Sequence, residues 1–187
     1  MIELQHSLPE PAELGNHRRR NPGGSWDDAA FQTVRSIVRH QLNREQEGLC
    51  VYCEGLLLED EGHIEHIKSK GLNPPLTFVY DNLAHSCNGP GHCGHQKKRQ
   101  VLPVEPRSGC NRFFALMVLD GRLTPASGLS AAEAQQATDT VKILGLNVPA
   151  LAWQRKGYIE SVRALTDPTD VEQFVASAPF RWSLRGL

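Results

Sequence analysis

The chain has 187 residues, a mass of 20.7 kDa, a formal net charge of −1 at pH 7 and a pI near 6.7. This length suits one domain, with or without an appended subdomain, that needs no disulfide bonds to fold. The near-neutral charge excludes a positive potential over the whole surface that would attract nucleic acid. The sequence has no signal peptide and no apolar run of ~20 residues, which predicts a cytoplasmic protein with no membrane partner.

The first 24 residues are rich in Pro, Gly and Arg, which predicts a flexible arm. A helix should follow, because Ser25 and Asp28 form a weak capping box and apolar residues then recur at helical spacing as far as Gly48. We expect this helix to present Cys50 from a fixed scaffold. Residues 25–100 would comprise the helix and a metal-binding core, and residues 101–187 a hairpin and helical part packed on that core.

Local patterns also predict the elements inside these regions. Residues 54–67 should form two short strands around an acidic turn, and a short helix should begin near Gly94. Asp120-Gly121 marks the turn of a hairpin. A capping box of Ser130 and Glu133 opens one helix, Pro149 opens another, and a weaker helix follows.

Three further residues of the C-terminal part are expected in its core. Trp153 and Tyr158 lie at helical spacing, so we expect both to face inward. Cys110 stands apart from the other cysteines and suits a small buried position.

Four of the five cysteines fall in two pairs, Cys50-x-x-Cys53 and Cys87…Cys93. The spacing of the first pair lets both thiolates bind one ion at about 2.3 Å, and the loop inside the second pair can bring its sulfurs to the same ion. In a reducing compartment this favours a structural Zn²⁺ site over disulfides. Two alternatives stay open: a redox pair at Cys50 and Cys53 beside two unrelated thiols, and His92 in place of one cysteine.

A closed zinc site has no use for four further polar residues in the same window: Glu65, His66, Asn82 and His95. A hard divalent ion takes oxygen ligands and keeps positions open for water. A neutral histidine within reach of a water can remove its proton, and a cation beside a phosphate stabilises the developing charge. These residue types together predict a hydrolytic metal centre.

The order of these residues resembles the zinc-knuckle branch of the HNH, or ββα-metal, endonucleases. Five segments, "CVYCEG", "HIEHIKSK", "YDNLAHSCN", "CGHQKK" and "TVKILGLNVPALAWQRKGYI", resemble more narrowly the HNH family of Septu (PtuB) and retron-associated phage-defence systems. The likeness runs from about residue 26 to residue 165. It implies an α+β fold with a ββα-metal core and a four-cysteine zinc knuckle, flanked by N-terminal and C-terminal helices.

The resemblance also implies a role for each of these residues. His66 would be the general base that activates water, and Asn82 would hold the His66 side chain in orientation. These two residues are the catalytic candidates. Glu65 and His95 would bind a catalytic Mg²⁺ or Mn²⁺ ion. The structural Zn²⁺ would be held by Cys50, Cys53, Cys87 and Cys93.

Two lysines and two departures from the family pattern complete the site hypothesis. Lys97 and Lys98 could contact phosphate, or could simply keep the helix soluble. Gly94 stands where many zinc-type HNH motifs place their last ligand, directly after the last cysteine. The loop after His66 reads Lys-Ser-Lys where Pro-Lys-Ser is common, which leaves its backbone path open.

The implied function is that of a metal-dependent endonuclease that hydrolyses DNA phosphodiester bonds, as the nuclease subunit of an anti-phage defence system. The resemblance also implies a partner ATPase, PtuA-like, that supplies DNA contact and activation. Two other functions stay open. A non-catalytic zinc-knuckle module for nucleic-acid or protein binding has no use for Glu65, His66 and His95, and a redox or zinc-sensing switch at Cys50 and Cys53 would hold no stoichiometric zinc.

Overall fold

A computed structural model describes residues 1–185 of the chain. Its helices and strands are, in order, α1 (Ala12–Arg20), α2 (Gln32–Glu45), β1 (His63–His66), β2 (Leu83–Ser86), α3 (Cys93–Lys97), β3 (Phe114–Leu116), β4 (Leu123–Pro125), α4 (Ala131–Ile143), α5 (Pro149–Ala164), α6 (Pro168–Ser177) and α7 (Arg181–Leu184). The strands form two separate antiparallel pairs, β1–β2 and β3–β4. This mixture of helices and small antiparallel sheets is compatible with the α+β class.

The β1–β2 pair and α3 bring the distant parts of the cysteine-rich window together. His63 is opposite Ser86, and Glu65 is opposite Ala84. Helix α2 packs on both strands. Cys93 begins α3. The backbone N–H of the next residue, Gly94, donates to Ser86 Oγ in β2 (3.2 Å) and so connects the helix to the strand.

Residues 1–24 do not form the predicted flexible arm. They contain helix α1, and the side chains of Met1, Ile2, Leu4 and Leu14 are buried. The backbone N–H of Ile2 donates to Val51 O (3.0 Å), and that of Leu4 donates to Pro106 O (3.1 Å). Composition suggested a linker because the partners of this segment lie outside it: α1 packs on α2, and Ile2 and Leu4 bond to residues more than 40 positions away.

The first long helix begins later than predicted. Ser25 and Asp28 do interact, since Ser25 N donates to Asp28 Oδ2 (2.9 Å), but they close a separate turn. A single turn of 3-10 helix at Ala29–Phe31 follows, and α2 starts at Gln32. Phe31 is fully buried beside Trp26, so packing of these rings decides where the regular helix starts.

Only one of the two strands predicted for residues 54–67 forms, as β1. The rest of this segment makes an isolated bridge between Leu49 and Leu56 and a hydrogen bond from Leu57 N to Gly48 O (2.8 Å). These contacts hold it against the end of α2 and not beside β1. The acidic turn then leads directly into His63.

The C-terminal part agrees with most of the local predictions. The β3–β4 hairpin turns at Gly121, whose φ is +72°. Ser130 and Glu133 form both hydrogen bonds of a capping box at the start of α4. Pro149 is the first residue of α5, and Asp167 caps the predicted weaker helix, α6.

Trp153 is not a core residue, because 77% of its surface is exposed. It lies on the solvent face of α5, whereas Arg155 of the same helix is buried and donates to Leu146 O (2.8 Å). Tyr158 does pack on the core, where its ring contacts that of Phe180 (5.7 Å between centroids). The expected small core residue Cys110 is buried.

The buried apolar residues form two clusters. The larger surrounds the cysteine pairs and extends into the C-terminal helices. The smaller joins α1, α2 and the β1–β2 pair, and its members are Leu14, Trp26, Phe31, Val38, Leu42, Ile64, Tyr80 and Leu83. His66, at the end of β1, lies against the second cluster through an edge-to-face contact with Trp26 (4.4 Å between centroids).

Candidate active site

The four paired cysteines converge at one point. The Sγ atoms of Cys50, Cys53, Cys87 and Cys93 all lie within 4.8 Å of one another. The Cys50–Cys93 distance is 3.7 Å and the Cys53–Cys87 distance is 3.9 Å. A tetrahedron with ligands about 2.3 Å from zinc has edges of roughly 3.8 Å, so the sulfurs have the spacing of a four-thiolate zinc site.

Backbone and side-chain groups around these sulfurs suit bound thiolates. Cys87 N donates to Cys50 Sγ (3.3 Å), and Gly55 N donates to Cys53 Sγ (3.4 Å). Hydrogen bonds to ligand atoms orient them and tune their charge. His92 Nδ1 lies 3.1 Å from Cys93 Sγ, so this histidine stands beside a complete set of four sulfurs and does not replace a member.

His66 is held by its Nε2 atom, which lies 3.0 Å from Thr77 O. A carbonyl oxygen only accepts, so the ring proton is on Nε2 and Nδ1 carries the lone pair. Among the described residues no group bonds to Nδ1, and the atom is not sealed from solvent. Burial lowers the pKa of His66 to about 4, so the ring is neutral near pH 7.

Asn82 connects both ends of the loop that follows His66. Its Oδ1 accepts from Lys68 N (2.8 Å), and its Nδ2 donates to Lys68 O (2.9 Å) and Leu76 O (3.3 Å). Leu76 precedes Thr77, whose carbonyl receives His66 Nε2–H. The amide therefore fixes the path of the Lys-Ser-Lys loop and the acceptor that orients His66.

Glu65 is buried, and each of its carboxylate oxygens has a different neighbour. Oε1 accepts from Lys97 Nζ (2.6 Å) and, at longer range, from the Tyr52 hydroxyl (3.4 Å). Oε2 lies 3.3 Å from His63 Nε2. Burial alone would raise the pKa of Glu65, but the contact with His63 and the charge of Lys97 outweigh burial and lower it.

His95 lies on the exposed side of α3, and its ring is 4.7 Å from that of His63. Within residues 1–185, the cysteines are the only set of three or more ligand groups whose donor atoms all lie within 4.8 Å. Glu65 and His95 therefore share a neighbourhood around His63 without forming a closed site. An open arrangement of this kind leaves space for water and phosphate.

The two lysines of α3 and its C-terminal end have different surroundings. Lys97 is fully buried, and Nζ also donates to His66 O (2.9 Å), so the expectation that it contacts phosphate is not met. Lys98 is exposed and lines a cleft of about 240 Å³ beside Glu65 and His66. The other residues lining this cleft are Ser69, Lys70, Gly71 and Arg99.

No protein-family model matches the chain. A curated protein of Vibrio cholerae serotype O1 biovar El Tor, named "Retron Vc95 putative HNH endonuclease", is 36% identical over 205 residues, which cover 100% of this chain and 99% of the relative. This chain belongs to the retron-associated HNH endonuclease family. Membership supports a nuclease role. Residues 1–185 contain no helix with both the length and the apolar character that crossing a membrane requires.

In this HNH family member, the sequence patterns did not assign Tyr52 or His63 to the surroundings of Glu65, and they gave Lys97 a different role, contact with phosphate. Tyr52 and Lys97 hold Glu65, and His63 faces its second oxygen. Lys97 follows Cys93 by four residues, and that helical spacing on a short helix was a signal that both face inward. His63 and Glu65 lie two positions apart on β1 and therefore share one face of the strand, which was a local signal for His63.

Proposed function

We propose that this HNH family member hydrolyses phosphodiester bonds of DNA, using an exchangeable divalent ion, Mg²⁺ or Mn²⁺, and a water molecule that His66 deprotonates. The observation that carries the proposal is the hydrogen bond from His66 Nε2 to Thr77 O (3.0 Å). It leaves Nδ1 of a neutral imidazole as the proton acceptor, next to a cleft that a phosphate can enter.

The residues at the cleft have distinct parts in this reaction. His66 Nδ1 takes a proton from the water, whose oxygen forms a bond to phosphorus. The bond to the leaving oxygen breaks, and that oxygen takes a proton from solvent. Asn82 keeps His66 oriented through the loop contacts to Lys68 and Leu76. The cations Lys98 and Arg99, which line the cleft, would contact phosphate oxygens.

Glu65 and His95 would hold the exchangeable ion, and two observations support a fit. Lys97 binds only the Oε1 atom of Glu65, so Oε2, whose neighbour is His63 Nε2 at 3.3 Å, can bind a cation without breaking that ion pair. A Cβ atom placed on Gly94 would lie 2.5 Å from Oε2, so the glycine leaves a space there that a side chain would fill. When bound, the ion supplies positive charge that stabilises the phosphate and the leaving oxygen.

Zn²⁺ would have a separate, structural task at the four cysteines. A four-thiolate site has no open position, so it can stabilise the fold but cannot bind water. Its metal should survive dialysis, whereas an ion at an open site with few protein ligands should exchange. Mild EDTA should therefore abolish cleavage and leave zinc in place, and added Mg²⁺ or Mn²⁺ should restore activity.

A plasmid-nicking assay with the full chain tests the proposal. His66→Ala should lower the cleavage rate by about 10²–10⁴-fold, because it removes the base, while zinc content and circular dichroism stay unchanged. His40→Ala is the matched control, since His40 is a partly exposed histidine paired with Asp60. Undiminished cutting by His66→Ala would exclude the role of this residue as the base.

Three further variants separate ion binding from orientation of the base. Glu65→Ala or His95→Ala should raise the metal concentration needed for activity. Asn82→Ala should lower the rate with little change in that concentration, because its contacts are to the loop. A wild-type protein that binds DNA but cuts it with neither ion would favour the alternative of a non-catalytic zinc-knuckle module.

We further propose that the nuclease acts in anti-phage defence with a partner ATPase of the PtuA type, as in Septu systems. The retron name of the relative and the motif likeness support this proposal. The formal net charge of −1 also supports it, since 21 Asp and Glu balance the 20 Lys and Arg and leave no net positive charge to hold DNA. Nicking assays with and without any ATPase found to be encoded beside the gene would test the partnership.

A further inference from the structure

We infer that His63 is a third protein ligand of the exchangeable ion, and that the resulting set of two imidazoles and one carboxylate selects a transition ion such as Mn²⁺ over Mg²⁺. This inference rests on the proposed function. It adds a residue that neither the motif pattern nor the family likeness assigned. His63 is partly exposed, with 27% of its side-chain surface accessible.

The hydrogen bonds of His63 place Nε2 opposite Glu65 Oε2. Nδ1 lies 2.9 Å from Asn88 Oδ1, an oxygen that can accept its proton. Nε2 lies 3.3 Å from Glu65 Oε2, and without a metal the carboxylate accepts a proton from this nitrogen. A cation bound by both atoms would take the place of that proton. Metal-binding histidines commonly donate their other N–H to an oxygen, as Nδ1 can donate to Asn88.

The spacing of the two atoms suits ligands of one ion. Adjacent ligands about 2.1 Å from a metal, at right angles, lie roughly 3.0 Å apart, close to the observed 3.3 Å. A Cβ atom on Gly94 would lie 2.5 Å from Glu65 Oε2 and 2.6 Å from His63 Nε2. The space kept open by the glycine therefore borders the two proposed donor atoms.

The surrounding residues leave one oxygen of Glu65 available to the ion, and they leave the side of the site at His95 open to solvent. Lys97 takes Glu65 Oε1, so Glu65 can offer only Oε2 without breaking the ion pair. His95 is exposed with its ring 4.7 Å from that of His63, so a rotation about its side-chain bonds can bring it to the same ion. Water and a phosphate oxygen would fill the remaining positions.

The chemistry of this donor set decides the preferred metal. Imidazole nitrogen suits first-row transition ions, whereas Mg²⁺ prefers an octahedron of oxygens and releases its waters reluctantly. Glu65 and His95 alone would offer the ion one oxygen and one nitrogen. His63 adds the second nitrogen, which shifts the preference toward Mn²⁺ and its neighbours.

Calorimetric titration of Mn²⁺ into the full-length protein tests the inference without measuring activity. The protein is first treated with mild EDTA, and its zinc content is checked. His63→Ala should weaken Mn²⁺ binding by at least about tenfold, since even residues that only support a ligand change metal affinity by about 10–100-fold. His40→Ala, which removes a histidine paired with Asp60 instead of Glu65, should bind Mn²⁺ like the wild type.

A second variant tests the metal preference. His63→Asp replaces the nitrogen by an oxygen at the same place, so the ratio of Mg²⁺ affinity to Mn²⁺ affinity should rise relative to the wild type. An unchanged ratio would overturn the selectivity part of the inference. Asn88→Ala should weaken Mn²⁺ binding less than His63→Ala does, because it removes only the contact that orients the ring.

The opposite result has a distinct physical meaning. If His63 serves only as a protonated partner of Glu65, its removal frees the carboxylate, and His63→Ala should bind Mn²⁺ as tightly as the wild type or more tightly. That result, with Glu65→Ala and His95→Ala still weakened and wild-type nicking intact, overturns the inference and leaves the proposed function standing. A wild-type protein that neither binds Mn²⁺ nor cuts DNA overturns both.

Discussion

At the scale of single residues, Gly94 decides how closely α3 approaches β1. A Cβ atom here would lie 2.5 Å from Glu65 Oε2, closer than real Cβ contacts come. Gly94→Ala should therefore push the carboxylate and His63 apart and weaken Mn²⁺ binding by about tenfold or more. Calorimetric titration of the EDTA-treated, zinc-loaded protein measures this.

Gly157→Ala provides the matched control for Gly94→Ala. Gly157 is exposed within α5, and a Cβ atom there would meet nothing within 4 Å. Alanine should stabilise that helix by about 0.5–1 kcal/mol and leave metal binding unchanged. Equal Mn²⁺ affinities for the two variants would show that the space above Gly94 is not part of a metal site.

Lys97 and Glu65 form a buried ion pair, with Nζ 2.6 Å from Oε1 and the Lys97 side chain fully inaccessible. Lys97→Met would leave a buried carboxylate without its partner, which costs about 3–5 kcal/mol of unfolding free energy. The double variant Lys97→Met with Glu65→Gln should recover most of this loss, because no uncompensated charge remains. Urea unfolding of both variants, with Lys98→Met as the exposed control, measures the difference.

At the scale of elements, two turns and the start of one helix supply the cysteines. Cys50 and Cys53 lie in the turn after α2, Cys87 follows β2, and Cys93 begins α3. The ion would tie these short elements to one another at a single point. It would add to the stability of the fold, because the free energy of metal binding contributes directly to folding.

Cys50→Ser should therefore release zinc and lower the melting temperature of the whole protein. Metal analysis and thermal melting of the purified variant test this expectation. Cys110→Ala is the control, because Cys110 is buried but lies outside the four converging sulfurs. A Cys50→Ser protein that lacks metal and still melts like the wild type would show that zinc does not stabilise the fold.

At the scale of the whole molecule, Glu54 connects the two ends of the described chain. Its carboxylate accepts from the Met1 amino group (2.9 Å) and from the backbone N–H groups of Trp182 (2.9 Å) and Ser183 (3.2 Å). Glu54 directly follows Cys53. The N-terminal segment and α7 are thus both attached to the turn that carries the first cysteine pair.

The N-terminal segment should consequently contribute to stability as core residues do. Leu4 is 4% exposed, and Leu4→Ala should lower the unfolding free energy by about 2–5 kcal/mol. Leu8, which is 44% exposed, provides the control, and Leu8→Ala should change stability by less than about 0.5 kcal/mol. If Leu4→Ala unfolded at the wild-type urea concentration, residues 1–24 would behave as an arm after all.

Features that depend on neighbours in the chain could be predicted from the sequence alone. The capping box at Ser130, the proline that opens α5 and the Asp120-Gly121 turn each act within a few residues, so local patterns are sufficient. The spacing of the cysteines and the Glu65-His66 pair likewise suggested the chemistry of the site. Such groupings reflect which donor atoms a metal or a proton transfer requires, and those requirements are independent of the fold.

Tertiary structure alone decided which polar groups are paired and which face solvent. Lys97 is buried because Glu65 and the carbonyl of His66, 31 or more residues away, compensate its charge. Trp153 is exposed although its spacing suited the core. Arg155, on the same helix, lies on the buried face instead, where it donates a hydrogen bond to Leu146 O. Ile2 and Leu4 are held by Val51 and Pro106, and α1 is held by packing on α2. In each case the deciding free energy comes from partners distant in sequence, which local composition and periodicity do not reveal.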